Sequence, residues 1–167
     1  MKTALHELPV ITDDGEFTAR YNDDGLVELN FPPTRPRRSP KKTPPPAVPA
    51  KIRAWHRLTG AALALVLAGR PAKQLPPLVW AGKTEFQQAV WRELLKIRGG
   101  DTLSYGEIAK RIGRPKAVRA VGGACGANPI PVLVPCHRVL AANHKIGGFS
   151  GGLAWKKTLL TREGIAL

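Results

Sequence analysis

Residues 130–140, IPVLVPCHRVL, set a cysteine directly before a histidine at the end of a short apolar run. A free thiol has a pKa of about 8.5, so little of it is thiolate at neutral pH and a neighbouring base must take the proton. Adjacent side chains of an extended strand point in opposite directions, so His137 can serve Cys136 only through a backbone turn or a bridging water. We predict that PVLV is a short extended segment and that Pro135 begins a turn that presents Cys136.

Two other interpretations of the Cys-His pair are open on the residues alone. The first is a buried structural cysteine beside an exposed histidine, which is the most frequent meaning of such a pair. The second is a metal site, which is not expected because His6, His56 and His144 are scattered and no CxxC motif occurs. A histidine that acts as a base also needs a carboxylate partner. Glu163 follows the last predicted helix and is free to fold back.

The charge of the chain indicates the class of its partner. The 167 residues carry a formal net charge of +14, from 26 Lys and Arg against 12 Asp and Glu. This favours a polyanion, with nucleic acid as the first candidate and an anionic membrane surface as the second. No apolar run reaches roughly 18 residues, and no basic and apolar leader begins the chain. We expect no membrane span and a cytoplasmic location, or a nuclear one in a eukaryote, with Cys125 and Cys136 as free thiols.

The first half of the chain predicts a small α/β domain. Two alternating runs around Asp-Asp-Gly in EFTARYNDDGLVELNF, residues 16–31, predict a β-hairpin. Residues 32–49 hold eight prolines and five basic residues without an acid, which predicts an irregular, solvated loop, with contact to phosphate as the alternative. Apolar residues at helical spacing predict a helix from Pro49 to Ala68. We place the domain boundary so that residues 1–78 and 79–167 form two units.

The second half predicts mainly helices. Thr84 with Gln87, and Ser104 with Glu107, have the spacing of capping boxes, which begin two helices. A closing helix is expected over residues 153–162.

A helix pair between these elements suits nucleic-acid binding. After Gly-Arg-Pro at residues 113–115 we expect a helix over residues 116–124, and the pair has the length and spacing of a helix-turn-helix. The second helix is basic and rich in small residues, so it can approach a nucleic-acid groove closely. A small-residue helix packed in a core, with its basic residues exposed, is the alternative interpretation.

Several motifs together resemble one known family. The strings SYGEIA, RAVGGACGANP, NPIPVLVPCHRV and GGFSGGLAWKKTLLTREG, within residues 84–164, are similar to those of the O6-alkylguanine-DNA alkyltransferases. The resemblance implies a mixed α/β (α+β) fold. Its N-terminal domain would hold a small antiparallel, ribonuclease H-like sheet, and its mostly helical C-terminal domain a winged-helix-like helix-turn-helix. It also implies a monomer that takes an alkyl group from O6 of guanine, irreversibly and once per molecule, with O4-alkylthymine as a further candidate substrate and no cofactor.

The resemblance assigns roles around the thiol. Cys136 would be the acceptor, His137 the base acting through water, and Glu163 the carboxylate that orients the histidine. Asn128 would hold the turn around the cysteine, and Tyr105 would donate a hydrogen bond to N3 of the departing guanine. No metal is expected, since the chain has no cysteine before Cys125 that could form the zinc site of some relatives.

The resemblance also implies contacts to the base and to double-stranded DNA. Ser150 and nearby backbone amides would bind O6, within a pocket to which Val139, Phe149 and Gly151 are assigned; many relatives have tyrosine in place of Phe149. Arg119 would fill the space left by a flipped nucleotide, which must leave the stack to be reached. The remaining predicted contacts, in the minor groove, are Ala120, Lys116, Gly122, Ser104 and Arg138.

Three rival functions differ in how the cysteine is used. Alkyltransferase-like proteins bind the lesion but have another residue in place of the acceptor, and Cys136 argues against that class. A plain helix-turn-helix regulator would make the Cys-His pair incidental. A thiol hydrolase with a Cys-His dyad would turn over many times.

Overall fold

The structure is a computed structural model that describes residues 4–35 and 47–167. Most of the predicted proline-rich loop, residues 36–46, therefore lies outside the described residues. The described chain is a mixed α/β protein with a small antiparallel sheet followed by helices. No helix within these ranges is long and apolar enough to cross a membrane.

The sheet has three strands in the order β1 (His6–Thr12), β2 (Gly15–Asn22) and β3 (Gly25–Asn30). The predicted hairpin is confirmed, since β2 and β3 pair on either side of Asp23-Asp24. Gly25 has a φ of 152°, and a β-carbon there would overlap the backbone of Pro77, so only glycine fits. The sequence pattern does not predict β1, because Pro9 interrupts it. The proline is tolerated because β1 is an edge strand.

Helix α1 (Ala50–Leu67) packs on the sheet through its apolar face and matches the predicted span. Its buried residues include Ile52, Leu63 and Val66. One buried polar contact joins helix to sheet, because the Tyr21 hydroxyl donates to Thr59 Oγ1 over 2.8 Å.

The second half contains short elements around three packed helices. Both predicted capping boxes are confirmed: the Gln87 N–H donates to Thr84 Oγ1 and the Glu107 N–H to Ser104 Oγ, each over 3.1 Å. β4 and β5 form a short parallel pair. The elements are α2 (Glu85–Leu94), β4 (Leu103–Ser104), α3 (Tyr105–Arg111), α4 (Val118–Gly126), β5 (Val139–Leu140) and α5 (Leu153–Arg162).

Helix α4 begins two residues later than predicted. The Ala117 N–H donates to the Arg114 carbonyl over 2.9 Å, so Lys116 belongs to the turn after α3. α4 packs against α2 and α3, and the Trp91 indole N–H donates to the Ala124 carbonyl over 2.8 Å. The small residues of α4 therefore serve both a packed face and an exposed one.

The two halves share one continuous core. The Leu26 N–H donates to the Pro77 carbonyl over 2.8 Å, so the chain near the predicted boundary adds to the edge of β3. At another point Arg162 holds the Asp14 carboxylate with two bonds of 2.7 Å and the Leu67 carbonyl with one of 2.9 Å. The boundary at residue 78 and the ribonuclease H-like character of the sheet stay predictions.

Candidate active site

A tight turn precedes Cys136, so the prediction that PVLV is extended is wrong. The Val134 N–H donates to the Ile130 carbonyl over 2.9 Å, and Val132 has a φ of 73°, which is an outlier for a β-branched residue. The Cys136 N–H then donates to the Val134 carbonyl over 2.8 Å, and Cys136–Arg138 form one 3-10 turn. The two prolines that flank VLV restrict its ends, while the bonds from Val134 to Ile130 and from Cys136 to Val134 close the turn.

Asn128 holds this turn together from inside the protein. Its amide nitrogen donates to the Val134 carbonyl over 2.8 Å and to Cys136 Sγ over 3.2 Å. Its amide oxygen accepts from the Ile130 N–H over 3.0 Å. One buried side chain thus fixes both the shape of the turn and the position of the sulfur.

His137 lies fully buried between the turn and the end of α5. Its Nε2 is 3.1 Å from Glu163 Oε1, while its Nδ1 is buried without a hydrogen-bond partner among the described residues. Burial lowers the pKa of His137, and Glu163 opposes that effect. The imidazole is therefore neutral, with the Nε2 proton directed to the carboxylate, which leaves the Nδ1 lone pair free to accept a proton.

The sulfur of Cys136 experiences opposing electrostatic effects. The residue is only 4% exposed, and burial raises the pKa of its thiol. The hydrogen bond from Asn128 and the ammonium group of Lys156 both lower that pKa. Cys136 is therefore a protonated thiol at rest, with groups in place that stabilise the thiolate when the proton leaves.

A pocket of about 510 Å³ opens over the sulfur. Burial raises the pKa of Tyr105, so its hydroxyl keeps its proton and can donate. Within the described ranges, no group of three or more His, Cys, Asp or Glu side chains could hold a metal ion. The pocket is lined by Tyr105, Val118, Arg119, Gly122, Cys125, Gly126, Cys136, Gly148, Phe149 and Ser150.

Known proteins are similar to this chain in both sequence and fold. A family described as 6-O-methylguanine DNA methyltransferase, DNA binding domain, matches residues 85–165. The chain is also 38% identical over 164 residues to the methylated-DNA–protein-cysteine methyltransferase of Methanosarcina acetivorans, across 98% of this chain and 99% of that relative. The chain belongs to the methylated-DNA–protein-cysteine methyltransferase family.

Two further relatives show where the similarity is concentrated. The methyltransferase of Haemophilus influenzae is 54% identical over 82 residues, which are 49% of this chain and 46% of that relative, so this match covers about half of its length. The crystal structure of Mycobacterium tuberculosis OGT in complex with DNA matches with a TM-score of 0.74 and 37% identity, over 95% of this chain and 92% of that one.

The structure brings only part of the predicted methyltransferase site to the pocket. Tyr105, Arg119, Gly122, Phe149 and Ser150 line it together with Cys136.

Other predicted contacts lie around the pocket rather than in its wall. Val139 is buried in β5, and Gly151 lies behind Phe149. Lys116, in the turn before α4, and Ala120, on α4, are both exposed, while Ser104 caps α3. The exposed Lys116 and Ala120 can face a large partner such as a nucleic acid, whereas Val139 is fully buried and its carbonyl already accepts from Lys156.

Arg138 does not have the predicted surface position. It is 8% exposed, donates three bonds of 2.7 to 3.2 Å to the Glu163 carboxylate, and donates to the Ile97 carbonyl through Nη1 over 2.6 Å. Its hydrogen-bond partners among the described residues, Glu163 and the Ile97 carbonyl, are internal, so a DNA contact by Arg138 is not supported. Its place beside His137 and Glu163 makes it part of the charge balance around the candidate site.

Lys156 is a site residue that the sequence pattern does not reveal. Its side chain is fully buried, and its ammonium group donates to the Val139 carbonyl over 2.7 Å and to the Gly148 carbonyl over 3.1 Å. Lysine is rarely buried without an acidic partner, so the helical pattern of α5 predicts an exposed side chain here. The residue fixes one end of the pocket wall and also influences the Cys136 thiol.

Cys125 is the second thiol of the pocket wall. The pKa of its thiol is raised to about 12. Burial is the main cause, and the neighbouring Cys136 adds to the effect. Cys125 therefore stays protonated and does not compete with Cys136 as a nucleophile.

Proposed function

We propose that this protein repairs DNA by moving an alkyl group, most simply methyl, from O6 of guanine to Cys136 Sγ. The observation that carries the proposal is the position of Cys136, at a pocket of about 510 Å³ and next to a buried His137–Glu163 pair. The pocket is large enough for a purine, and the pair supplies the base that a buried thiol needs. Family membership supports the same activity.

The reaction is a displacement at the alkyl carbon. His137 Nδ1 takes the thiol proton through a bridging water, Glu163 stabilises the imidazolium, and the sulfur attacks the carbon in line with its bond to O6. The carbon–sulfur bond forms as the carbon–oxygen bond breaks, and its electron pair moves onto the purine. The Tyr105 hydroxyl donates to N3 and Ser150 to O6, which stabilises the leaving guanine. The thioether is stable, so each molecule reacts once.

DNA binding follows from the α3–α4 pair, which we assign as a helix-turn-helix. The M. tuberculosis relative is known in complex with DNA, and the family matched by residues 85–165 is a DNA-binding domain. The thin, exposed face of α4, with Ala120 and Gly122, fits the minor groove. Arg119, at the mouth of the pocket, enters the stack when the target nucleotide flips out, and a monomer suffices for these contacts.

Intact-mass analysis tests the activity. The protein is incubated with a duplex that contains O6-methylguanine, and peptide analysis locates the added methyl group. We expect one methyl group on Cys136, none in Cys136→Ala, and still one on Cys136 in the matched control Cys125→Ala. An unmodified protein, or modification at Cys125, contradicts the proposal. Repeated turnover would assign the site to a hydrolase instead.

A further inference from the structure

Four aromatic side chains connect the sheet to the pocket; we call them the aromatic bridge. Phe31, directly after β3, lies 5.7 Å from Phe149 between ring centroids, at 77°, and 5.0 Å from Trp155 of α5. Phe17 of β2 completes the group at 5.5 Å from Phe31 and 5.6 Å from Trp155. Both distances and angles are those of favourable aromatic pairs. Phe31, which directly follows β3, is the member on the sheet side that contacts the pocket wall.

Phe31 contacts the wall on both sides of Ser150. Its ring stands edge-on to Phe149, and it lies so close to Gly151 that a β-carbon there would overlap it. Ser150 itself is exposed toward the pocket. The residues before and after the exposed serine are therefore both held from behind by one ring.

Other contacts also support the wall, and one of them is the Phe149 ring standing edge-on to the His137 ring at 6.5 Å between centroids. The Gly152 N–H donates to the Phe149 carbonyl over 3.0 Å, and Lys156 holds the Gly148 carbonyl over 3.1 Å. Gly147 and Gly152, at the two ends, have φ values of 67° and 92°, which residues with a β-carbon rarely adopt. Ring packing thus constrains the centre of the wall from two sides, and Phe31 is the ring that contacts both Phe149 and Gly151.

We propose that Phe31 is a positioning residue for alkyl transfer, which places Ser150 and its adjacent amides at O6 by packing against Phe149 and Gly151. The inference rests on the proposed function and deepens it, because it makes the sheet a working part of the reaction site. A displacement of about 1 Å in a positioned group can cost about 100-fold in rate. Loss of the ring therefore slows the chemical step and leaves DNA affinity unchanged.

Single-turnover kinetics on free O6-benzylguanine test the proposal without DNA. The variants are Phe31→Leu, which keeps an apolar side chain, Phe31→Tyr, which restores the ring, and Phe17→Leu. Phe17 belongs to the aromatic bridge and touches Phe31 and Trp155, but it has no ring contact with Phe149, so it is the matched control. Each is measured at a temperature where its unfolding curve shows a folded protein.

We expect Phe31→Leu to lower the limiting rate at saturating O6-benzylguanine about tenfold or more, with Phe31→Tyr and Phe17→Leu within about threefold of the unaltered protein. Half-saturation should change less than the limiting rate. A limiting rate for Phe31→Leu near that of the unaltered protein, or an equal loss in Phe17→Leu, overturns the role of Phe31. If the unaltered protein reacts with the methylated duplex but not with O6-benzylguanine, the same variants are compared on the duplex. Absence of transfer from both substrates overturns the proposed function and this inference together.

A double-mutant cycle adds an independent readout. Gly151→Ala places a β-carbon against the Phe31 ring and, less closely, against the Phe149 ring, so it should slow transfer in the unaltered background. In the Phe31→Leu background the smaller, flexible side chain can yield, so the same substitution should cost a smaller factor. Equal factors in the two backgrounds overturn the contact as the cause.

Discussion

Replacing Glu163 by glutamine removes one buried negative charge and keeps the shape of the side chain. The carboxylate receives three bonds from Arg138 and lies 3.1 Å from His137 Nε2. A glutamine amide has an NH2 donor in place of one carboxylate oxygen. That NH2 would face an N–H donor of either Arg138 or His137, so two donors would meet without an acceptor. We expect Glu163→Gln to lower both the stability of the fold and the rate of transfer.

The pKa of Glu163 sets the magnitude of the stability loss. Burial alone would raise this pKa, but the hydrogen bonds and charges of His137 and Arg138 lower it from 4.5 to about 2. At about 1.4 kcal/mol for each pKa unit, the ionised carboxylate stabilises the fold at pH 7 by about 3 kcal/mol. Breaking a buried ion pair by removing one partner costs about 3–5 kcal/mol, which agrees.

The sign of the pH dependence follows from the lowered pKa. A carboxyl that is more acidic in the folded protein stabilises it above the unfolded pKa, and that stability is lost as pH falls through the folded pKa. The difference between the unaltered protein and Glu163→Gln should therefore be constant from pH 7 to about 5. It should shrink between 4.5 and about 2, as Glu163 is protonated.

Urea unfolding followed by tryptophan fluorescence at several pH values measures this difference. Glu85→Gln, an exposed acid in the first turn of α2, is the matched control and should change stability by less than about 0.5 kcal/mol. Transfer by Glu163→Gln should be about 100-fold slower, because His137 loses its orienting partner. A stability difference under about 1 kcal/mol at pH 7, or one that persists unchanged at pH 2, would refute the reasoning.

Three further predictions address other parts of the site. Lys156→Met removes the ammonium group that lowers the pKa of the Cys136 thiol; transfer at pH 7 should fall about tenfold and recover as pH rises, and a pH-independent loss would contradict this. Asn128→Ala leaves the buried Ile130 N–H unpaired and removes one of the two donors to the Val134 carbonyl, and it should lower the free energy of unfolding by about 2–4 kcal/mol in urea; a change below about 1 kcal/mol would count against it. Arg119→Ala should slow transfer from duplex DNA much more than from O6-benzylguanine, unlike the exposed control Arg114→Ala; equal losses on both substrates would argue against insertion.

Features set by neighbouring residues could be predicted from the sequence. The capping boxes at Thr84 and Ser104 and the turn of the β2–β3 hairpin involve partners within a few positions, so local chemistry is sufficient. The proposed acceptor Cys136 could be predicted because the resemblance rests on a specific motif. Strand β1 could not, because an edge strand with an internal proline has no alternating pattern.

Features set by distant partners could not be predicted. Arg138 has a basic side chain of the kind that contacts DNA, but its position is decided by Glu163, 25 residues away. Lys156 has the pattern of an exposed helical lysine, but two backbone carbonyls receive it in the interior. The turn before Cys136 contradicts the extended preference of its valines, because hydrogen bonds to Asn128 outweigh local propensity.

The left-handed conformation of Val132 has a consequence for any shortened form of this site. Such a conformation costs a β-branched residue about 1–3 kcal/mol, and burial of the side chain returns about 1.5–3 kcal/mol. Because the two contributions nearly cancel, the turn is not stable by itself. Contacts with the surrounding protein hold it in a shape that the backbone of the turn does not prefer. A free peptide with the sequence IPVLVPCHRVL would relax into other conformers. It would contain every reactive atom of the motif and react only as an ordinary thiol.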